Sequence, residues 1–183
     1  MVKVGINGFG SIGRLILRAL LENYKGKIQV VGINDLGSIE ANAHLIKFDS
    51  THGTLNHEVN ISKDGFKIGD QNIKVFAERD PARLPWGKIG ADVVLECTGF
   101  FLDKKSAGKH LEAGAKKVII SAPAKEVDFT LVQGVNSKEL KKDHNIISNG
   151  SCTTNCLAPV AMVLEKTFGI TYGYMTTIHS YTG

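Results

Sequence analysis

A chain of 183 residues, 43% hydrophobic and 22% charged, is long enough to bury a sizeable core, and its composition excludes a disordered or fibrous protein. The net charge of +4 is dispersed in pairs such as Lys104-Lys105, Lys116-Lys117 and Lys141-Lys142, without the dense basic stripe of a nucleic-acid module. Three cysteines without a Cys-x-x-Cys spacing argue against a zinc site, and no apolar run reaches the roughly 18 residues of a membrane span.

The first residues, Met1 to Ile6, read as a strand rather than a signal peptide. With so few cysteines, a reducing, cytoplasmic location is expected. Ile12, Leu15, Ile16 and Ala19 then recur at helical spacing, predicting a helix from about 10 to 24 with Gly26 near its stop. A buried strand is expected over 28–34, ending at Asp35, and a second helix over 39–47. Between Leu55 and Phe76 the pattern changes. Short strands at 57–61, 66–68 and 72–76 are separated by Lys63-Asp64-Gly65 and Gly69-Asp70, which predicts an antiparallel insertion.

Alternation then resumes, with strands at 92–97, 117–121, 131–135 and 146–148 and helices at 104–112 and 137–142. This predicts an α/β fold: a doubly wound, mostly parallel Rossmann sheet with a small antiparallel insertion. Residues 1–150 form the nucleotide-binding domain. From Ser151 a second, α+β unit begins. Leu157, Val160, Ala161, Leu164 and Phe168 share a helical face, Pro159 is expected to bend that helix, and 172–179 alternates like a strand.

Gly8-Phe9-Gly10-Ser11-Ile12-Gly13 matches G-x-G-x-x-G, follows a strand and opens a helix. Gly8 permits the tight turn, Gly10 lets the backbone approach a pyrophosphate, and Gly13 allows close helix–strand packing. The pyrophosphate would take the free N–H groups at the helix start. Asp35 would accept from the adenosine ribose hydroxyls and repel a 2′-phosphate, which favours NAD over NADP. Thr98, Gly99 and Ser121 end later strands and are expected beside the cofactor, as is Asn7. Cys97, inside an apolar strand, reads as a buried structural thiol.

Cys152 stands at the mouth of a helix in Ser151-Cys152-Thr153-Thr154-Asn155-Cys156, with His179 further on. A helix N-terminus and a nearby imidazole both favour thiolate, so Cys152 is the candidate nucleophile and His179 its base. The Cys152 N–H is a natural oxyanion donor. Ser151 and Thr153, with Thr182, are placed to hold a phosphate. Cys156, one turn on, has poor geometry for a disulfide with Cys152 and reads as structural. The other histidines, His44, His52, His57, His110 and His144, share no spacing and read as surface or packing residues. A reactive thiol behind a nucleotide fold points to covalent aldehyde oxidation.

These motifs, with Ile33-Asn34-Asp35-Leu36, Asp49-Ser50-Thr51-His52-Gly53, Leu84-Pro85-Trp86, Glu96-Cys97-Thr98-Gly99 and Ser121-Ala122-Pro123, closely resemble phosphorylating glyceraldehyde-3-phosphate dehydrogenase along the whole chain. The resemblance implies a cytoplasmic glycolytic oxidoreductase, typically a homotetramer, using NAD, glyceraldehyde 3-phosphate and inorganic phosphate. It carries over Cys152 as nucleophile, His179 as its activator, Asp35, Arg79 and Ser121 as cofactor contacts, and Ser151, Thr153 and Thr182 as substrate or phosphate contacts. The implied path is a thiohemiacetal on Cys152, hydride transfer, a thioester, and phosphorolysis to 1,3-bisphosphoglycerate. Ser11 stands where the family usually has Arg, and Gly150 where it usually has Ala. The family continues past Gly183 with most of its substrate domain, so residues 1–183 alone are expected to fold over the first 150 and catalyse poorly or not at all. Erythrose-4-phosphate dehydrogenase and a non-catalytic NAD-binding module are the alternatives; aspartate-semialdehyde-type enzymes share the Cys–His logic with a poorer local fit.

Overall fold

A computed structural model describes residues 1–181; Thr182 lies outside the described residues. The chain opens with β1 (Val2–Asn7), α1 (Ser11–Asn23), β2 (Ile28–Asn34) and α2 (Ile39–Lys47). A small hairpin, β3 (Phe48–Asp49) and β4 (Gly53–Thr54), leads to β5 (Val59–Ser62), β6 (Gly65–Ile68) and β7 (Gln71–Phe76). Then come β8 (Val93–Glu96), α3 (Lys104–Glu112), β9 (Lys117–Ile120), β10 (Phe129–Thr130), β11 (Ile146–Ser148) and α4 (Cys152–Phe168).

The main sheet has the order β10-β11-β9-β8-β1-β2-β7-β6-β5. The run β7-β2-β1-β8-β9-β11 is parallel, and reads as strands 3-2-1-4-5-6 of a dinucleotide-binding fold. Strand order reverses between β1 and β8, so a crevice opens beyond their carboxyl ends. The expected insertion is antiparallel, and its strands β5 and β6 extend the edge of the main sheet beside β7.

Each element has a local cause. The inner positions of the central strands are apolar; Ile6, Val94, Val118 and Ile120 are wholly buried. Leu17 and Leu21 of α1 pack with Ile6, Val30 and Ile33 on one side of the sheet. Trp86 fills the other side with Leu84 and Val94. Ser38 caps α2 by accepting the Ala41 N–H, and Asp103 caps α3 by accepting the Ser106 N–H at 2.8 Å.

Two expected strands differ. The segment 131–135 turns instead of pairing; the edge strand is β10, two residues long and earlier, because Phe129 and Thr130 are the residues that register with Ile147 and Ser148. Residues 172–179 form no strand. Their alternation describes two faces, but a strand also needs a neighbour for its N–H and C=O groups, and Tyr174 and Ile178 lie fully open. The helix at 137–142 shortens to a 3-10 turn at Ser137–Glu139. Helix α4 runs through Pro159 as one element and leaves Leu157, Val160, Leu164 and Phe168 exposed. Among the described residues no helix is long and apolar enough to cross a membrane, and no cluster of His, Cys, Asp or Glu suits a metal ion.

Candidate functional site

Register aligns the carboxyl ends of the strands. Asn7 stands beside Asn34 and Glu96, and Glu96 beside Ile120, which stands beside Ser148. The chain leaves this row toward the glycine turn on one side and toward α4 on the other, so both candidate sites lie beyond the same end of the sheet.

At the turn, Gly8 has φ +89°, and a Cβ there would come within 2.7 Å of the Thr98 backbone nitrogen. A Cβ on Gly13 would lie 2.2 Å from the Gly8 carbonyl oxygen. These two glycines let α1 start directly against β1 and β8. Gly10 is different: a Cβ there meets nothing within 4 Å. It faces a cavity of about 520 Å³ bounded by Gly8, Asp35, Arg79 and Thr98. Asp35 is fixed from behind, its Oδ2 accepting the Phe9 N–H at 2.9 Å and its Oδ1 the Gly37 N–H at 2.8 Å. Leu36 and Phe100, 56% and 84% exposed, give the same cavity an apolar rim.

The cavity fits a dinucleotide: open space over Gly10 at a helix start, an anchored carboxylate at the end of β2, and apolar side chains for a planar base. Gly8, Gly10, Asp35, Arg79, Thr98 and Asn7 were all expected there. Asn7 lines the cavity, but its amide is consumed inside the protein, bonded to Glu96 and Asn34. Phe9 turns its ring into the core against Phe66, and its N–H and carbonyl are taken by Asp35 and Arg14. Ser11 and Ile12 are exposed at the start of α1, and Gly99 and Ser121 do not line the cavity. Ser121 instead donates its backbone N–H to the Glu96 carbonyl at 3.0 Å. Burial pushes the Cys97 thiol up to about 11, which makes it inert at neutral pH. Sequence reasoning missed Asn34, Leu36, Glu78 and Phe100 on the cavity wall; adjacency to Asp35 and Thr98 was the available signal. A cleft of about 570 Å³ over β5–β7 contains none of the expected residues.

Cys152 is the first residue of α4. The Ser151 hydroxyl caps the helix by accepting the Thr154 N–H at 2.9 Å, and it also bonds the hydroxyls of Thr153 and Thr154. The Asn155 amide donates to the Asn149 and Ser151 carbonyls at 2.7 and 2.9 Å, which secures the Gly150 turn, φ +67°. The Cys152 sulfur lies 3.0 Å from His179 Nε2. The imidazole, followed by the N–H groups of Thr153 and of Cys152 itself, holds the thiol below its ordinary value. In return the sulfur and the Ser180 carbonyl, bonded at Nδ1, raise His179. Cys156 is exposed and free on the next turn.

The doubly wound sheet with its glycine turn places the chain in the class of dinucleotide-binding folds, here with a thiol–imidazole pair at an adjoining helix start. Comparison with known sequences narrows it. The family model for the glyceraldehyde 3-phosphate dehydrogenase NAD binding domain matches residues 2–104, and that for the C-terminal domain matches 151–183. Glyceraldehyde-3-phosphate dehydrogenase of Geobacillus stearothermophilus is 57% identical over 182 residues, 99% of this chain and 54% of its own length. Those of Xanthobacter flavus and Bacillus subtilis (its enzyme 1) are 55% and 56% identical over 182 residues, covering 100% and 99% of this chain and 54% of each relative. The chain belongs to the glyceraldehyde 3-phosphate dehydrogenase family, and its cofactor is NAD. It spans about half the length of these curated relatives.

Proposed function

We propose that these residues are the NAD-binding domain and the cysteine-bearing start of the catalytic domain of a phosphorylating glyceraldehyde-3-phosphate dehydrogenase, a cytoplasmic glycolytic enzyme that assembles as a homotetramer. The observation that carries the reading is the Cys152–His179 contact at the mouth of α4, beyond the same sheet end as the cofactor cavity. Asp35 and the Gly8–Gly13 turn hold the dinucleotide, with Arg79 and Thr98 beside it. NAD supplies the hydride acceptor.

His179 withdraws the Cys152 proton, and the thiolate adds to the aldehyde carbon of glyceraldehyde 3-phosphate. The Cys152 N–H stabilises the oxyanion. His179 returns that proton to the oxyanion, giving the thiohemiacetal, and withdraws it again as the carbon gives up its hydride and becomes a thioester. Inorganic phosphate attacks that thioester, releasing 1,3-bisphosphoglycerate and returning the thiolate. Ser151 and Thr153, with Thr182, contribute hydroxyls to the substrate and the attacking phosphate.

The test is NADH formation by the full-length gene product from glyceraldehyde 3-phosphate, NAD and phosphate, with Cys152→Ser as control. Phosphate-dependent turnover that disappears in the variant is expected. Turnover retained in Cys152→Ser, or a clear preference for erythrose 4-phosphate, would overturn the reading.

A further inference from the structure

The polar side chains buried beneath the glycine turn form one directed row. At its near end Asn34 Oδ1 accepts the Glu78 N–H at 2.8 Å, while Asn34 Nδ2 donates to the Glu78 carbonyl at 2.9 Å and to Asn7 Oδ1 at 2.7 Å. Asn7 Nδ2 then donates to Glu96 Oε2. At the far end Trp86 Nε1–H donates to His110 Nδ1 at 2.9 Å. An indole nitrogen can only donate, so His110 Nδ1 accepts and the ring proton sits on Nε2, which donates to Glu96 Oε2 at 2.9 Å. Glu96 Oε1 accepts both the N–H of Thr98, at 2.7 Å, and its hydroxyl. Two runs of donors thus converge on a carboxylate that is 1% exposed. These four bonds replace its water.

Glu96 does not line the cofactor cavity. Its reach is through Thr98, whose Oγ1 also accepts the Phe100 N–H at 3.1 Å. Thr98 and Phe100 make one wall of the cavity, and Gly8 packs on the Thr98 backbone. On the other side the Asn34–Glu78 pair secures the segment that carries Arg79.

We infer that Glu96 is a positioning residue for NAD: it sets the Thr98–Phe100 wall against the glycine turn, and only a carboxylate can do so. An amide at this position must turn its NH₂ either toward the two donors of Thr98 or toward those of Asn7 and His110. Either way a buried donor faces a donor. Trp86 enforces this from a distance, because its indole leaves His110 no acceptor to offer. The inference rests on the assignment of this cavity to NAD.

The experiment compares the wild-type chain with Glu96→Gln by NAD titration and residue-resolved amide exchange. NAD affinity is expected to fall about tenfold in the variant, with faster exchange at Thr98 and Phe100 and unchanged protection at Ile6 and Val94. Unchanged affinity overturns the proposal. So does protection lost throughout the sheet, which would make Glu96 a stabilising residue only. If Glu96→Gln does not fold, Thr98→Ser, which keeps the hydroxyl, is compared with Thr98→Val, which does not. Serine, which keeps the bonds to Glu96 and to the Phe100 N–H, should bind NAD several-fold more tightly than valine; equal binding by the two overturns the proposal. A wild-type chain that binds no NAD would instead remove the cavity assignment itself.

Discussion

Cys152 Sγ and His179 Nε2 lie 3.0 Å apart although the two residues are separated by 27 positions in the chain. The contact lowers the thiol and raises the imidazole, because thiolate and imidazolium favour one another at this distance. Alkylation of Cys152 by iodoacetamide should therefore show a pH midpoint below that of an ordinary thiol, with Cys97 unreactive. In His179→Ala the midpoint should rise, because the largest cause of the shift is gone. An unmoved midpoint, followed by mass spectrometry of the modified peptide, would show that the pair does not activate the sulfur.

Gly10 and Gly13 belong to one motif but should respond differently to the same substitution. Gly10→Ala adds a methyl into open cavity at an ordinary φ of −67°, so the melting temperature should hold while NAD affinity drops. Gly13→Ala drives a methyl into the Gly8 carbonyl, so it should cost about 1–3 kcal/mol of stability and lose NAD binding as well. Denaturant melts and NAD titration of the two variants check this.

Asp35 combines two jobs, accepting the Phe9 and Gly37 N–H groups and offering negative charge at the end of β2. Asp35→Asn should reduce NAD affinity about tenfold and narrow the preference over NADP, because the charge that repels a 2′-phosphate is removed. Parallel titration with both cofactors reads the ratio. A ratio that stays fixed would place the discrimination elsewhere.

Asp128 ties the edge strand in place. Its Oδ1 meets Lys104 Nζ at 2.6 Å, and its Oδ2 accepts the N–H groups of Asn145 and Ile146 at 2.8 and 2.9 Å. The lysine, then those N–H groups, lower it from 3.8 to about 2. A depressed carboxyl contributes its full stabilisation above its unfolded value and loses it as pH falls from 3.8 through about 2. Asp128→Asn should therefore melt below wild type at neutral pH, and the difference should close across that acid window. Thermal melts of both proteins from pH 7 to pH 2 measure it.

Much of the fold was legible before any coordinates. The helices expected at 39–47 and 104–112 form with those bounds, and the parallel sheet follows from alternating strands and helices. The glycine turn could be read because Gly8 and Gly13 each have a steric reason that survives in the structure, while Gly10 faces open space. The edge strand was misplaced, and 172–179 read as a strand, because alternation reports which faces are apolar and says nothing about a pairing partner. The dinucleotide cavity was half visible. Its glycines and Asp35 carry a motif, whereas Leu36, Glu78 and Phe100 are recruited only by the path of the chain.

The sequence by itself determined the class of fold, the glycine turn and the helix start at Ser151-Cys152-Thr153, since these depend on local backbone geometry and on residue types at fixed spacing. Tertiary structure alone decided that Asn7, Asn34, Glu96, His110 and Trp86 share one hydrogen-bonded row. His110 had read as a packing or surface residue, yet it is wholly buried and passes the Trp86 donor on to Glu96. The reason is physical. Parallel register brings strand ends together from distant parts of the chain, and a buried polar group must then find its partners among whatever that register supplies.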